Sequence, residues 1–184
     1  MIKRIFDFLF SFIGLLLVGG LLFVLWVMAS IDTHSNGLFI QERIGQGGRV
    51  FKIYKLKTIH PKTAQISPIG RFFRKSKIDE LPQLWNVLIG NMSLVGPRPD
   101  VASYYDKLEG ENKKILELKP GITSEASIKY QNEESLMAQQ DCPLAYNDTV
   151  IFPDKIRMNL EYYYQHSLVG DIKIILKTIF SYNE

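Results

Sequence analysis

Residues 8–31 read FLFSFIGLLLVGGLLFVLWVMASI, 24 positions without a charged side chain. At about 1.5 Å of rise per residue, a helix of this length crosses a hydrocarbon core of about 30 Å. The stretch is therefore expected to lie in a membrane. A cleaved signal peptide is the competing reading, but its apolar region is shorter, and Val27-Met28-Ala29-Ser30 makes a poor cleavage site. Lys3 and Arg4 precede the segment, and Arg43, Arg49, Lys52, Lys55, Lys57 and Lys62 follow it against only Asp32 and Glu42. Basic clusters beside a membrane segment resist translocation, so both flanks claim the cytoplasmic side. A re-entrant segment that dips into one leaflet and returns satisfies both. Gly19 and Gly20, at its middle, are the expected place of the bend, with packing of these glycines against another helix as the alternative.

Working outward, the segment over residues 1–32 leaves about 150 residues, enough for one domain core over 33–184. The chain is 46% hydrophobic and 22% charged, an ordinary globular composition, and its net charge of +3 is too small to imply nucleic acid. The single cysteine, Cys142, permits no internal disulfide and has no partners at zinc spacing, which fits a domain facing a reducing compartment.

Residues 38–44 and 50–57 read as two strands joined by Gly45-Gln46-Gly47-Gly48, a β-hairpin. The glycine spacing matches no nucleotide-binding fingerprint. On the second strand Lys55 and Lys57 share a face by the two-residue period, which a solvated face explains equally well. Next, Phe72 and Phe73 stand among Arg71, Arg74, Lys75 and Lys77, the pattern of an amphipathic segment at a membrane surface.

Pro82 is tolerated only in a first turn, so a helix is expected to begin near Ile78 to Leu81, with Leu81, Leu84, Trp85 and Leu88 on one apolar face. Asp79 and Glu80 then sit at its N-terminus, where capping alone would account for them. Their surroundings favour chemistry: residues 43–77 carry ten basic side chains and no acid. One carboxylate pair in such a field points to an anionic substrate and a divalent metal. Pro97-Arg98-Pro99 adds a guanidinium between two rigid residues, in the fork geometry that suits phosphate. Residues 133–140, 153–165 and 170–182 read as helices, the last with Ile172, Ile175, Leu176 and Ile179 on one face.

In this order, KRIFDF (3–8), QERIGQGGRVFKIYKLKT (41–58), IGRFFRKSKIDELPQLWNVLIGNMSLVGPRP (69–99) and LKPGIT (118–123) resemble the bacterial monotopic phosphoglycosyl transferases. The resemblance implies an α+β enzyme with an N-terminal re-entrant membrane helix, a short β-hairpin and amphipathic helices at the membrane surface. It implies transfer of a sugar 1-phosphate from a UDP-sugar to undecaprenyl phosphate, releasing UMP. The place implied is the cytoplasmic face of the bacterial inner membrane, and the step is the first in capsule, lipopolysaccharide O-antigen, exopolysaccharide or glycoprotein glycan assembly. By the same analogy Asp79 is the nucleophile, Glu80 holds Mg2+, and Lys57, Arg74 and Arg98 bind substrate phosphate. Membrane lipids are implied partners; nucleic acid is not, and self-association into a homo-oligomer stays open.

Two departures stand out. Relatives commonly break the membrane segment at a Ser-Pro pair, where this chain has Gly19-Gly20. After PGIT this chain continues SEASIKYQNEESL, without the usual tryptophan and Gly-Arg pair, so nucleotide- and sugar-binding residues beyond Thr123 cannot be carried over. A non-catalytic membrane-anchored scaffold for glycan assembly and a peripheral binder of anionic lipid are the competing classes. Asp79, Glu80 and Arg98 together weigh against both.

Overall fold

The computed structural model describes residues 1–100 and 104–181. Helix α1, Ile2–Asp32, is a single 31-residue helix, long and apolar enough to cross a membrane. It stays helical through Gly19 and Gly20, the expected place of the bend. The reason is that each glycine still supplies its N–H to the helical ladder, and a helical glycine costs only about 1 kcal/mol. A Cβ on either would meet nothing within 4 Å among the described residues, so neither glycine packs against another of the described elements.

One stripe of α1, with Asp7, Ser11, Leu25 and Ala29, is buried against the rest of the chain, while Phe8, Leu16, Leu17 and Phe23 are exposed. Both ends are tied to the same body. Near the start, Lys3 pairs with Asp171, the Arg4 guanidinium donates to the carbonyls of Val87 and Leu88 at 2.6 Å each, and Asp7 Oδ1 accepts from the Leu94 N–H at 3.1 Å. Near the end, Asp32 Oδ2 accepts from the Ser67 hydroxyl at 2.6 Å, and Leu25 and Ala29 pack with Leu56 and Phe73.

Strands β1, Leu38–Ile44, and β2, Val50–Leu56, pair antiparallel with Leu38 opposite Leu56 and Ile44 opposite Val50. Gly47 and Gly48, at φ 68° and 74°, supply the left-handed turn between them. Helix α2, Pro68–Lys75, starts on Ser67, whose Oγ accepts from the Gly70 N–H at 2.9 Å, a standard N-cap. It turns Phe73 into the core and leaves Phe72 60% exposed, so only one of the two phenylalanines is free to meet lipid. Lys77 then takes a left-handed φ of 55° and a tight turn follows at Ile78–Glu80. The regular helix α3 is Gln83–Ile89.

Strands β3, Ser93–Val95, and β4, Gly121–Thr123, form a parallel pair that the sequence pattern did not announce. They approach so closely that a Cβ on Gly121 would collide with the Gly96 backbone. Helices α4, Glu125–Lys129, α5, Glu133–Ala138, α6, Pro143–Tyr146, α7, Phe152–Gln165, and α8, Leu168–Ser181, complete the chain. The apolar core is divided: Ile53, Val87 and Met92 lie between the hairpin and α3, and Ile44, Tyr105, Ile115 and Ile156 lie between the hairpin and α7. The architecture is α+β, with helices around two small sheets.

Candidate active site

Asp79 and Glu80 sit in the tight turn before α3, not in its cap. No side chain caps that helix, and Pro82 occupies the capping position. The turn is held against the hairpin by Asn86, fully buried on α3, whose Nδ2 donates to the Lys52 carbonyl at 2.7 Å and whose Oδ1 accepts from the Tyr54 N–H at 3.2 Å. That clasp brings Lys55 of β2 beside Glu80.

The two carboxylates live in opposite environments. Lys55 Nζ donates to Glu80 Oε1 at 2.9 Å, and Arg98 grips the same carboxylate with Nη2 to Oε1 at 2.6 Å and Nη1 to Oε2 at 3.3 Å. Burial alone would raise the Glu80 carboxyl, but Arg98 and then Lys55 outweigh it and hold the group down to about 2. Asp79 is also buried, and its Oδ1 has no hydrogen-bond partner among the described residues. Burial and the adjacent Glu80 charge push it up to about 6, against the pull of Lys55, Lys77 and Arg74. A buried carboxylate oxygen left unbonded costs free energy unless a ligand uses it.

A cavity of about 700 Å³ opens over the pair. Lys55, Arg74, Lys77 and Arg98 supply its positive wall; Ser127, Tyr130, Gln131 and Asn132, of α4 and the turn after it, supply an uncharged one, bordered by Glu133 and Glu134 of α5. Arg98 reaches in from the turn after β3, where the Pro97 carbonyl accepts from Gly121 N–H at 2.8 Å and Gly96 N–H donates to the Thr123 carbonyl at 3.0 Å.

The structure thus brings Asp79, Glu80, Arg74 and Arg98 to one cavity but leaves Lys57 apart. β2 ends at Leu56, so the alternation that paired Lys57 with Lys55 stops short; the Lys57 N–H donates to the Gly37 carbonyl at 2.7 Å and its Nζ to Ser35 Oγ at 3.1 Å. Lys55 fills the place expected of Lys57. Sequence reasoning passed over Lys55, and its only signal was the face it shares with Lys57 by the two-residue period.

Among the described residues no group of three or more His, Cys, Asp or Glu side chains is placed to hold a metal ion. A closed protein cage is therefore not offered. Magnesium does not require one, since it takes one or two carboxylates and completes its shell with water and phosphate oxygens. Among the described residues Glu80 Oε2, at the cavity, accepts only from Arg98 Nη1 at 3.3 Å and keeps a lone pair that fits that donor set.

The profile of the family described as "Bacterial sugar transferase" matches residues 1–184. A galactosyl transferase of Streptococcus agalactiae is 31% identical over 96% of this chain and 41% of its own length. A UDP-N-acetylgalactosamine-undecaprenyl-phosphate N-acetylgalactosaminephosphotransferase of Aeromonas hydrophila is 32% identical over 97% of this chain and 43% of its own. A UDP-glucose:undecaprenyl-phosphate glucose-1-phosphate transferase of Caulobacter vibrioides is 31% identical over 96% and 68%, respectively. The chain spans less than half the length of the first two.

Proposed function

This chain belongs to the bacterial sugar transferase family, and from that premise we infer that it transfers a sugar 1-phosphate from a UDP-sugar to undecaprenyl phosphate. The observation that carries the reading is Asp79 Oδ1, buried and unbonded beside a carboxylate already neutralised by two cations, in a cavity walled by further cations.

Asp79 Oδ1 attacks the sugar-bearing phosphorus; the phosphorus–oxygen bond to the nucleotide breaks and UMP leaves with the bonding electrons. A phosphate oxygen of the polyprenol then attacks the phosphosugar-aspartate, forms the undecaprenyl diphosphate sugar and returns Asp79 as a carboxylate. The two steps let a soluble donor and a lipid acceptor use one site in turn. Arg74 and Lys55 neutralise the charge of the diphosphate at the cavity wall. Arg98 and Lys55 keep Glu80 ionised, so that Glu80 is the residue to hold magnesium; when bound, that ion offsets negative charge on the transferring group.

The membrane-facing assignment follows the same logic. α1 presents its outer apolar face to lipid while both its ends stay on the side of the catalytic domain, the cytoplasmic face of the inner membrane. Lys3, Arg4, Asp7 and Asp32 support this, because all four bond to one globular body. Exposed Phe72 of α2, Trp85 and Ile89 of α3, and Val169 and Leu176 of α8 extend the apolar surface.

The test is UMP release with a panel of UDP-sugars, undecaprenyl phosphate and magnesium. Release that requires both the acceptor and magnesium is expected for multiple turnover. With donor alone, mass spectrometry should find the sugar phosphate mass on the peptide carrying Asp79. No UMP from any donor would overturn the reading.

A further inference from the structure

The cations of the cavity account for the diphosphate of a nucleotide-sugar but not for its two uncharged ends. The uncharged wall is formed by the end of α4 and the turn into α5, where Tyr130, Gln131 and Asn132 line the cavity. Two ion pairs fix this turn. Lys155 Nζ of α7 donates to Glu133 at 2.7 Å, and Arg74 Nη2 of α2 donates to Glu134 Oε1 at 2.8 Å. The side-chain amides of Gln131 and Asn132, just before those anchors, bond to nothing among the described residues. Each amide offers both a donor and an acceptor, the complement of a hydroxyl or an acetamido group.

Arg74 decides which end of the donor this turn meets. Its charge acts on Asp79, and it is also the partner of Glu134, two residues from Asn132, so the turn adjoins the nucleophile. In an in-line displacement the leaving nucleotide departs on the side away from the attacking oxygen, whereas the sugar stays on the phosphorus under attack. We propose that Gln131 and Asn132 read the sugar of the donor, an uncharged hexose or N-acetylhexosamine, and so set donor specificity. This rests on the transferase reading above.

Equilibrium binding separates the two. The full chain in lipid nanodiscs, carrying Asp79→Asn to block turnover, is titrated with UDP-glucose, UDP-N-acetylglucosamine and UDP. Adding Gln131→Ala or Asn132→Ala is expected to weaken at least one UDP-sugar by about 3- to 10-fold, the loss of one neutral hydrogen bond, while UDP binding stays unchanged. Both side chains are exposed, so an unaltered melting temperature is expected and is checked alongside. UDP and UDP-sugar weakening together would assign the turn to the nucleotide. That result, or no change for any sugar, overturns the proposal. If sugar-dependent binding is lost as expected but the wild-type chain never releases UMP, the transferase reading fails while the sugar contact stands.

Discussion

Asp79 is held about 2 pH units above its ordinary value, from 3.8 to about 6, and that displacement has consequences for both stability and rate. Its folded form keeps a proton that the unfolded chain has already lost, so folding is favoured at the acid end of this window and weakens as pH climbs through 6. By pH 7 the cost approaches about 3 kcal/mol. Asp79→Asn should therefore abolish transfer and melt higher than the wild type at pH 7, with the gap closing towards pH 4, as read by thermal scans across that range. Because the attacking oxygen must be ionised, kcat/KM should fall below about pH 6; a profile flat to pH 5 would exclude Asp79 as nucleophile. Lys55→Met removes one of the two cations on Glu80 and should cost about 1 to 3 kcal/mol in a denaturant titration, whereas Lys57→Met should leave turnover near wild type. Asp79 and Glu80 stood out in the sequence because an acid pair beside a long basic stretch is improbable without charge to balance, Arg98 stood out between its two prolines, and Arg74 was singled out only by the family resemblance. Lys55 was not distinguished from Lys57, since alternation gives a face but not the residue where the strand stops. Tyr130, Gln131 and Asn132 had no signal at all: a short polar run without periodicity looks like any loop.

Among the elements, the hairpin and the helices α5, α7 and α8 were readable from period and composition, and their observed bounds lie close to those expected. The β3–β4 pair was hidden, because three-residue strands are too short to show a period and their pairing is set by partners distant in sequence. Gly121→Ala tests how much depends on it. The added methyl has no room against Gly96, and a loss of about 2 to 4 kcal/mol is expected, together with a displaced Arg98. The route of α1 is tested with single cysteines at Ile2 and Ser35 in a Cys142→Ser background. In intact cells a membrane-impermeant reagent should leave both unlabelled; labelling of one end alone would mean that the helix crosses the bilayer.

At the scale of the whole molecule, α1 contributes to the core as well as to the membrane. Arg4 closes the carbonyl end of α3, Asp7 satisfies a backbone donor of β3, and Lys3 meets an otherwise buried acid on α8. Cutting the chain before Asp32 to obtain a soluble catalytic fragment would strip these partners away, so such a fragment should aggregate or lack cooperative melting. The same ties bear on how the protein is made. The first turn of α1 finds its partners 83, 87 and 168 residues further along the chain, at Val87, Leu94 and Asp171. The cavity at Asp79 is thus complete only when the whole domain has closed on α1, so the apolar helix and the site assemble as one unit.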